Sequence, residues 1–367
     1  MGIFLQIIIA LILIYILYRL FLRIKPEILM NKESKISSIV NKMKTLKYYK
    51  PTPWLINGFF QTYWGMFYKG HKNFKPFRED IDFEDGGQVT IEHFVLETTK
   101  DTAPILFVIH TAGGGSREPC TNFAAMKFMK QGYRVIICSC RGCNGSKLKT
   151  KRLYDSSNYQ DTRVIIEYIS KKYPQAKYKF LLGFSMGASI SLRYSTFYDD
   201  LDGIVCVSHI LDQKRADLLL YEGWRAIILS RTLSVGLTRR IMKTNVYTEE
   251  EKKNLKKNIK TLVDYHNLVT AKNIGLNNSD EYYDLIKLKG KPAKVKVPTL
   301  IINAVDDPYT KIEFMDKKEL EEKDNQNLAF ILTKEGGHVT FAEGLNGKGS
   351  FAEDVTEEFF NLLMKND

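Results

Sequence analysis

Cysteine is scarce in this chain of 367 residues: Cys120, Cys138, Cys140, Cys143 and Cys206 are all it has, an odd and unevenly spaced set. That argues against a disulfide framework and for a reducing compartment. Cys138, Cys140 and Cys143 form a C-x-C-x-x-C cluster, but no fourth ligand stands near it, so the expectation is thiols packed at a strand end and no metal. A glycine-rich loop is present without the G-K-S/T that would make it a nucleotide-phosphate loop, and no cofactor is implied. There is no nucleic-acid-binding motif, no internal repeat and no low-complexity tract. Histidine is sparse too, at six residues.

What is plentiful is positive charge and apolar surface. Lys and Arg total 54 against 42 Asp and Glu, a net charge of +12, and 44% of residues are hydrophobic. The content is enough for a full core. The lysines are scattered with no nucleic-acid signature, which favours an anionic membrane surface over nucleic acid as a partner. A lysine-rich composition with no partner is the plainer alternative.

Ile3 to Leu22 reads IFLQIIIALILIYILYRLFL, in which Gln6 and Arg19 alone are strongly polar. As helix this is about 30 Å long, enough to cross a bilayer, with Tyr15, Tyr18 and Arg19 placed for the interface. The basic start and small-residue cleavage site of a secretory signal are missing, and Gln6 breaks the myristoylation pattern. An uncleaved single-pass anchor over residues 1–25 is therefore expected. Arg19, Arg23 and Lys25 follow the apolar run, so the positive-inside rule puts the globular part on the cytosolic side. Residues 26–50 are basic and polar and read as a linker. The segment PTPWLINGFFQTYWG from Pro51 reads as an aromatic flap folded against the core or the lipid surface.

From there to residue 367 the pattern is that of one α/β domain. Gln88 to Glu97 alternates as a first strand, and Ile105 to Ile109 is a fully apolar one. The latter runs into HTAGGGSRE, a loop whose backbone N–H groups can point at an anion. Strands at Tyr133–Cys140, at Phe180–Leu182 and at Gly203–Val207 alternate with helices at Asn122–Gln131 and Asp161–Lys172. This predicts a mostly parallel sheet with helices on both faces and a site at the carboxyl ends of the strands. Between about 210 and 291 the sheet pattern stops, and a helical cap is expected over the site. TLIINA at Thr299 and the strand Asn327–Leu332 resume the sheet, and Phe351 to Met364 closes it as an amphipathic helix.

The stretch KFLLGFSMGASISLRYSTFY from Lys179 organises the rest. Its G-F-S-M-G turn lies between a buried strand and a helix, with Gly183 and Gly187 leaving room for a sharp turn that lifts Ser185 above the sheet. A serine hydroxyl needs a base, and the base an acid that fixes its tautomer. His338 follows Gly336 and Gly337 after the last strand and supplies the base. Asp306 and Asp307 both follow TLIINA; Asp307 is preferred as the acid, Asp306 remaining open. The order Ser185, Asp307, His338 is the one such sheets use. The amides of Ala112 and Met186 are the expected oxyanion donors.

Several motifs in order carry a resemblance. They are W-L-I-N-G-F-F-Q-T from Trp54, D-G-G at Asp85, R-G-C-N-G-S-K-L-K-T from Arg141, the serine elbow, Y-Y-D at Tyr282, N-A-V-D-D-P and G-G-H-V. The chain from about Pro51 onward resembles the AB hydrolase 4 family of α/β-hydrolases. The resemblance implies an α/β-hydrolase fold, an N-terminal anchor, a Ser185, Asp307, His338 triad, and hydrolysis of esters, in some members phospholipid acyl esters. Thr111 stands where that family usually has glycine, and Phe59 where it has histidine. The expectation is a membrane-anchored serine hydrolase acting on membrane lipid esters. The alternative is a silent hydrolase fold serving as a subunit of a membrane protein complex.

Overall fold

In the computed structural model residues 2–67, 74–219, 224–287 and 292–365 are described. The far end of the expected cap at 288–291, and the two termini of the expected domain boundaries at Met1 and 366–367, lie outside them. Nine strands form one sheet: β1 (Glu27–Leu29), β2 (Phe77–Asp82), β3 (Gln88–Phe94), β4 (Ile105–Ile109), β5 (Arg134–Cys138), β6 (Lys179–Phe184), β7 (Gly203–Val207), β8 (Thr299–Ala304) and β9 (Leu328–Thr333). Their order is β1-β9-β8-β7-β6-β4-β5-β3-β2. From β9 through β5 every pair is parallel; β1 on β9, β3 on β5 and β2 on β3 are antiparallel.

The parallel strands are apolar runs because both faces are covered. Phe180, Leu182 and Phe184 of β6 pack on one face with helices α3 (Pro119–Lys130) and α10 (Phe351–Lys365). Leu181 faces the other way, with Ile204 and Ile301, against α4 (Tyr159–Lys172) and α5 (Met186–Phe197). Between β7 and β8 the described residues form the helices α6 (Gln213–Leu219), α7 (Trp224–Met242), α8 (Glu249–Asn258) and α9 (Ser279–Ile286), with a short helical stretch at Leu262–Tyr265 between the last two. Ile241, Tyr247, Leu255, Ile259 and Tyr265 give these helices a small core of their own. The lysine-rich run falls on α8, which starts with a capping box between Thr248 and Glu251 and turns Lys253, Lys256 and Lys257 outward.

The N-terminal region departs from expectation. Helix α1 (Gly2–Phe21) is long and apolar enough to cross a membrane, and from Phe4 onward it is almost wholly exposed. Residues 26–50, however, are no linker. Glu27–Leu29 adds an edge strand to β9, and Ile36, Val40, Met43, Leu46 and Tyr49 are buried in the main core. The lysines between those apolar residues masked their spacing. Nor is Gln88–Phe94 the first strand of the sheet: β1 precedes it, and the charged edge strand β2, FREDID, covers it, so that every residue of β3 is buried. Arg19 does not reach for a bilayer interface. It turns inward, 4% exposed, and pairs with Glu335 at 2.7 Å while donating to the carbonyls of Pro53 and Leu55. Pro51 to Leu55 leads into α2 (Gly58–Phe67), the expected aromatic flap.

Candidate active site

The carboxyl ends of β6, β8 and β9 open on one edge of the sheet. In register Asn303 lies beside Leu332, so the loops after β8 and β9 leave side by side. Ser185 stands between β6 and α5 with φ 55° and ψ −115°, a left-handed conformation that a residue with a side chain adopts only under constraint. The constraint is visible in the flanking glycines. A Cβ on Gly183 would lie 2.3 Å from the Gly187 carbonyl, and one on Gly187 would lie 2.4 Å from the Ile109 carbonyl. The tight strand-to-helix turn therefore exists only with glycine at both places.

His338 Nε2 is 2.8 Å from Ser185 Oγ, and His338 Nδ1 is 2.8 Å from Asp307 Oδ2. The carboxylate accepts, so the Nδ1–H donates and Nε2 is left to accept the serine proton. Asp307 is itself fixed, its Oδ1 accepting the N–H groups of Tyr309 at 2.8 Å and Thr310 at 3.3 Å. The neighbouring Asp306 is turned elsewhere: its Oδ1 accepts the Gly337 N–H at 3.0 Å. Burial pushes the Asp306 carboxyl up to about 6. Of the two candidate acids, Asp307 is the one that faces the imidazole, and Asp306 pins the loop that carries it.

That loop is held from several sides. The His338 N–H donates to Thr62 Oγ1 of α2 at 2.8 Å, and the Val339 N–H donates to Ser208 Oγ at 2.9 Å. Gly337 at φ 63° approaches α2 so closely that a Cβ would lie 2.5 Å from the Gly58 carbonyl. Thr62 and Ser208 carry no sequence signal for this duty: both are ordinary hydroxyl residues whose partners lie far away in the chain.

Ala112 and Met186 line the same cavity as Ser185. Met186 is the first residue of α5, where an N–H has no intrahelical acceptor. The Thr111 N–H is taken by Glu118 at 3.2 Å, and the Thr111 hydroxyl also donates to that carboxylate. Threonine in place of glycine thus gives the loop a side-chain clamp onto the start of α3. His110 is fully buried, its Nδ1–H donating to the Thr111 carbonyl at 2.7 Å and its Nε2 accepting the Cys140 N–H at 3.1 Å. Burial lowers its basicity, keeping it a neutral bridge between β4 and β5. The C-x-C-x-x-C thiols lie in this region. Burial raises all three, Cys143 to about 12, and Cys143 Sγ accepts from Arg240 of α7 at 3.1 Å.

The cavity over Ser185 has a volume of about 330 Å³. Its walls are largely apolar, with Met66, Phe123, Leu233, Leu237 and Leu262 among them. Leu233, Leu237 and Leu262 come from the helices between β7 and β8, so that segment roofs the site.

A family model described as alpha/beta hydrolase fold matches residues 104–345. An "Abhydrolase domain-containing protein" of Dictyostelium discoideum is 25% identical over 328 residues, covering 84% of this chain and 80% of its own length. "Phospholipase ABHD3" of Homo sapiens is 24% identical over 336 residues, covering 86% of this chain and 79% of its own. "Monoacylglycerol lipase" of Saccharomyces cerevisiae is 27% identical over 267 residues, covering 70% of this chain and 58% of its own.

Proposed function

The chain belongs to the α/β-hydrolase family, and from that premise we propose that it is a membrane-anchored serine hydrolase cleaving the acyl esters of lipids. The observation that carries the reading is the unbroken chain of hydrogen bonds from Ser185 through His338 to Asp307. His338 Nε2 takes the serine proton as Oγ attacks the ester carbonyl. Asp307 holds the imidazole in the required tautomer and stabilises the imidazolium that forms. The developing oxyanion is met by the N–H groups of Met186 and Ala112, the former at a helix N-terminus. His338 then returns the proton to the leaving alcohol, and water repeats the sequence on the acyl-enzyme.

The lipid part of the reading is supported by the apolar cavity walls and by the relatives named as a phospholipase and a monoacylglycerol lipase. In this reading α1 spans the bilayer, and Arg23 and Lys25 beyond it keep the catalytic body on the cytosolic side. The test is labelling of the full chain in membranes by a fluorophosphonate probe, with Ser185→Ala as control. Labelling and ester turnover are expected in the parent and absent in the variant. Equal turnover by the two proteins overturns the assignment.

A further inference from the structure

Helix α2 is built inside out. The side that faces the protein is small and polar: a Cβ on Gly58 would meet the Asp306 carbonyl at 2.0 Å, and one on Gly65 would meet Thr340 Oγ1 at 2.1 Å. Between them Gln61 and Thr62 are buried and hold Tyr49, Ala342 and His338 by hydrogen bonds. The outward side is aromatic. Phe60 and Phe67, two turns apart on one side of the helix, are 48% and 73% exposed, and Tyr63 beside them is half-buried against Leu262. A soluble protein hides such a stripe.

What lies beside the stripe says what covers it. Arg19, at the end of the apolar α1, is clamped to the Pro53 and Leu55 carbonyls, just before α2 begins, and to Glu335, just before His338. The exit of α1 and the start of α2 are thereby joined through buried contacts. Around that exit Arg23 and Lys47 flank the ring of the exposed Tyr48 at 5.7 and 5.6 Å, the aromatic and basic pairing that suits lipid head groups. Exposed Trp54 and Leu345 continue the surface, with Trp54 Nε1 donating to the Leu345 carbonyl at 2.8 Å. Met66 and Gly65 of α2 line the cavity over Ser185.

We infer that α2 is a second membrane-contacting element, whose aromatic stripe lies in the leaflet from which α1 emerges, so that the pocket takes its lipid ester directly from that leaflet. The occupant of the face is the bilayer: Arg19 ties the end of the apolar helix to the start of α2, the basic pair lies just beyond that helix, and Gly65 and Met66 bring α2 to the wall of the cavity. An interfacial helix gains its binding from such apolar area dipped below the head groups. The kinetic arm of the test rests on the lipid-ester reading above; the fluorescence arm does not.

The full chain is reconstituted in phosphatidylcholine vesicles containing a minor share of phosphatidylserine, beside a Phe60→Asn, Phe67→Asn double variant. Neither residue belongs to the catalytic constellation or lines the cavity. Turnover of lipid ester in the same bilayer is expected to fall about tenfold or more in the variant, while turnover of water-soluble p-nitrophenyl butyrate stays within about twofold. In vesicles of acyl-brominated phosphatidylcholine the tryptophan emission of the parent is expected to be quenched, and the part lost on Trp54→Phe replacement is expected to shrink in the double variant. A parallel fall with both substrates overturns the inference, because the face would then be structural. Unchanged lipid turnover overturns it as well, and a smaller particle in detergent would then assign the face to contact between copies. Quenching in a protein that turns over neither ester leaves the membrane contact standing and removes the hydrolase reading instead.

Discussion

The backbone N–H of His338 donates to Thr62 Oγ1 at 2.8 Å, across 276 residues of sequence, and the same hydroxyl donates to the Gly58 carbonyl at 2.6 Å. The histidine therefore owes its position to a helix that precedes the family-matched segment. Thr62→Val keeps the shape of the side chain and removes the acceptor, leaving a buried N–H without a partner. Such a loss costs about 1–3 kcal/mol. Thermal unfolding is expected to show that loss, and kcat is expected to fall while Thr62→Ser retains both.

Asp306 and Asp307 are adjacent and both buried or nearly so, yet they do different work. Asp307→Asn presents His338 with an amide that cannot hold the Nδ1–H tautomer, and kcat is expected to drop by about 10³–10⁴. Asp306→Asn keeps an oxygen for the Gly337 N–H. Its kcat is expected to stay within about tenfold of the parent, since neither partner of the imidazole changes. Steady-state kinetics on a soluble ester with the two variants side by side decides it; equal losses would sink the distinction.

The strand, turn and helix signals around Ser185, and the late strands leading to Asp307 and His338, were readable because each rests on local pattern: apolar runs, glycines at fixed offsets, chain order. What escaped depends on partners remote in sequence. The three-residue β1 has no periodicity to detect, and β2 carries so many charges that it reads as loop, though an edge strand tolerates them. Ile36, Val40 and Tyr49 are core residues embedded in a lysine-rich stretch, and only their contact with α10 and the last strands reveals it. Arg19 looked like an interfacial anchor because nothing in the sequence announces Glu335 as its partner. Sequence prefers Asp307 over Asp306 without deciding between them, for the same reason: both follow the same strand, and only their remote partners, the His338 imidazole and the Gly337 N–H, tell them apart.

Glu353 on α10 is buried and lines the cavity, and burial raises its carboxyl to about 8, opposed in part by Lys127. Its folded value lies above the unfolded one of about 4.3. The folded state therefore binds the extra proton between those limits, and stability falls as pH rises through about 4 to 8 and is level beyond. Glu353→Gln removes that component. The variant is expected to match the parent near pH 4 and to exceed it in melting temperature at pH 9. A parent and variant whose melting temperatures differ equally at both pH values would contradict the assignment.

Arg19 and Glu335 form an ion pair in which the arginine is 4% and the glutamate 20% exposed, so little water screens it. Removing one partner strands the other: Arg19→Ala also abandons the Pro53 and Leu55 carbonyls. A cost of about 3–5 kcal/mol is expected for that single change. Glu335→Ala leaves the guanidinium its two carbonyl partners and is expected to cost less. The two are coupled through direct contact, so the double variant is expected to be less destabilised than the sum of the singles. Because Glu335 leads directly into Gly336, Gly337 and His338, the loss should also reach the site. Both single variants are expected to lower kcat on a soluble ester, whose access does not depend on α1. A double-mutant cycle in detergent, read by urea unfolding and by kcat, checks the claim. Additive effects in both would mean that the helix end and the histidine loop are independent.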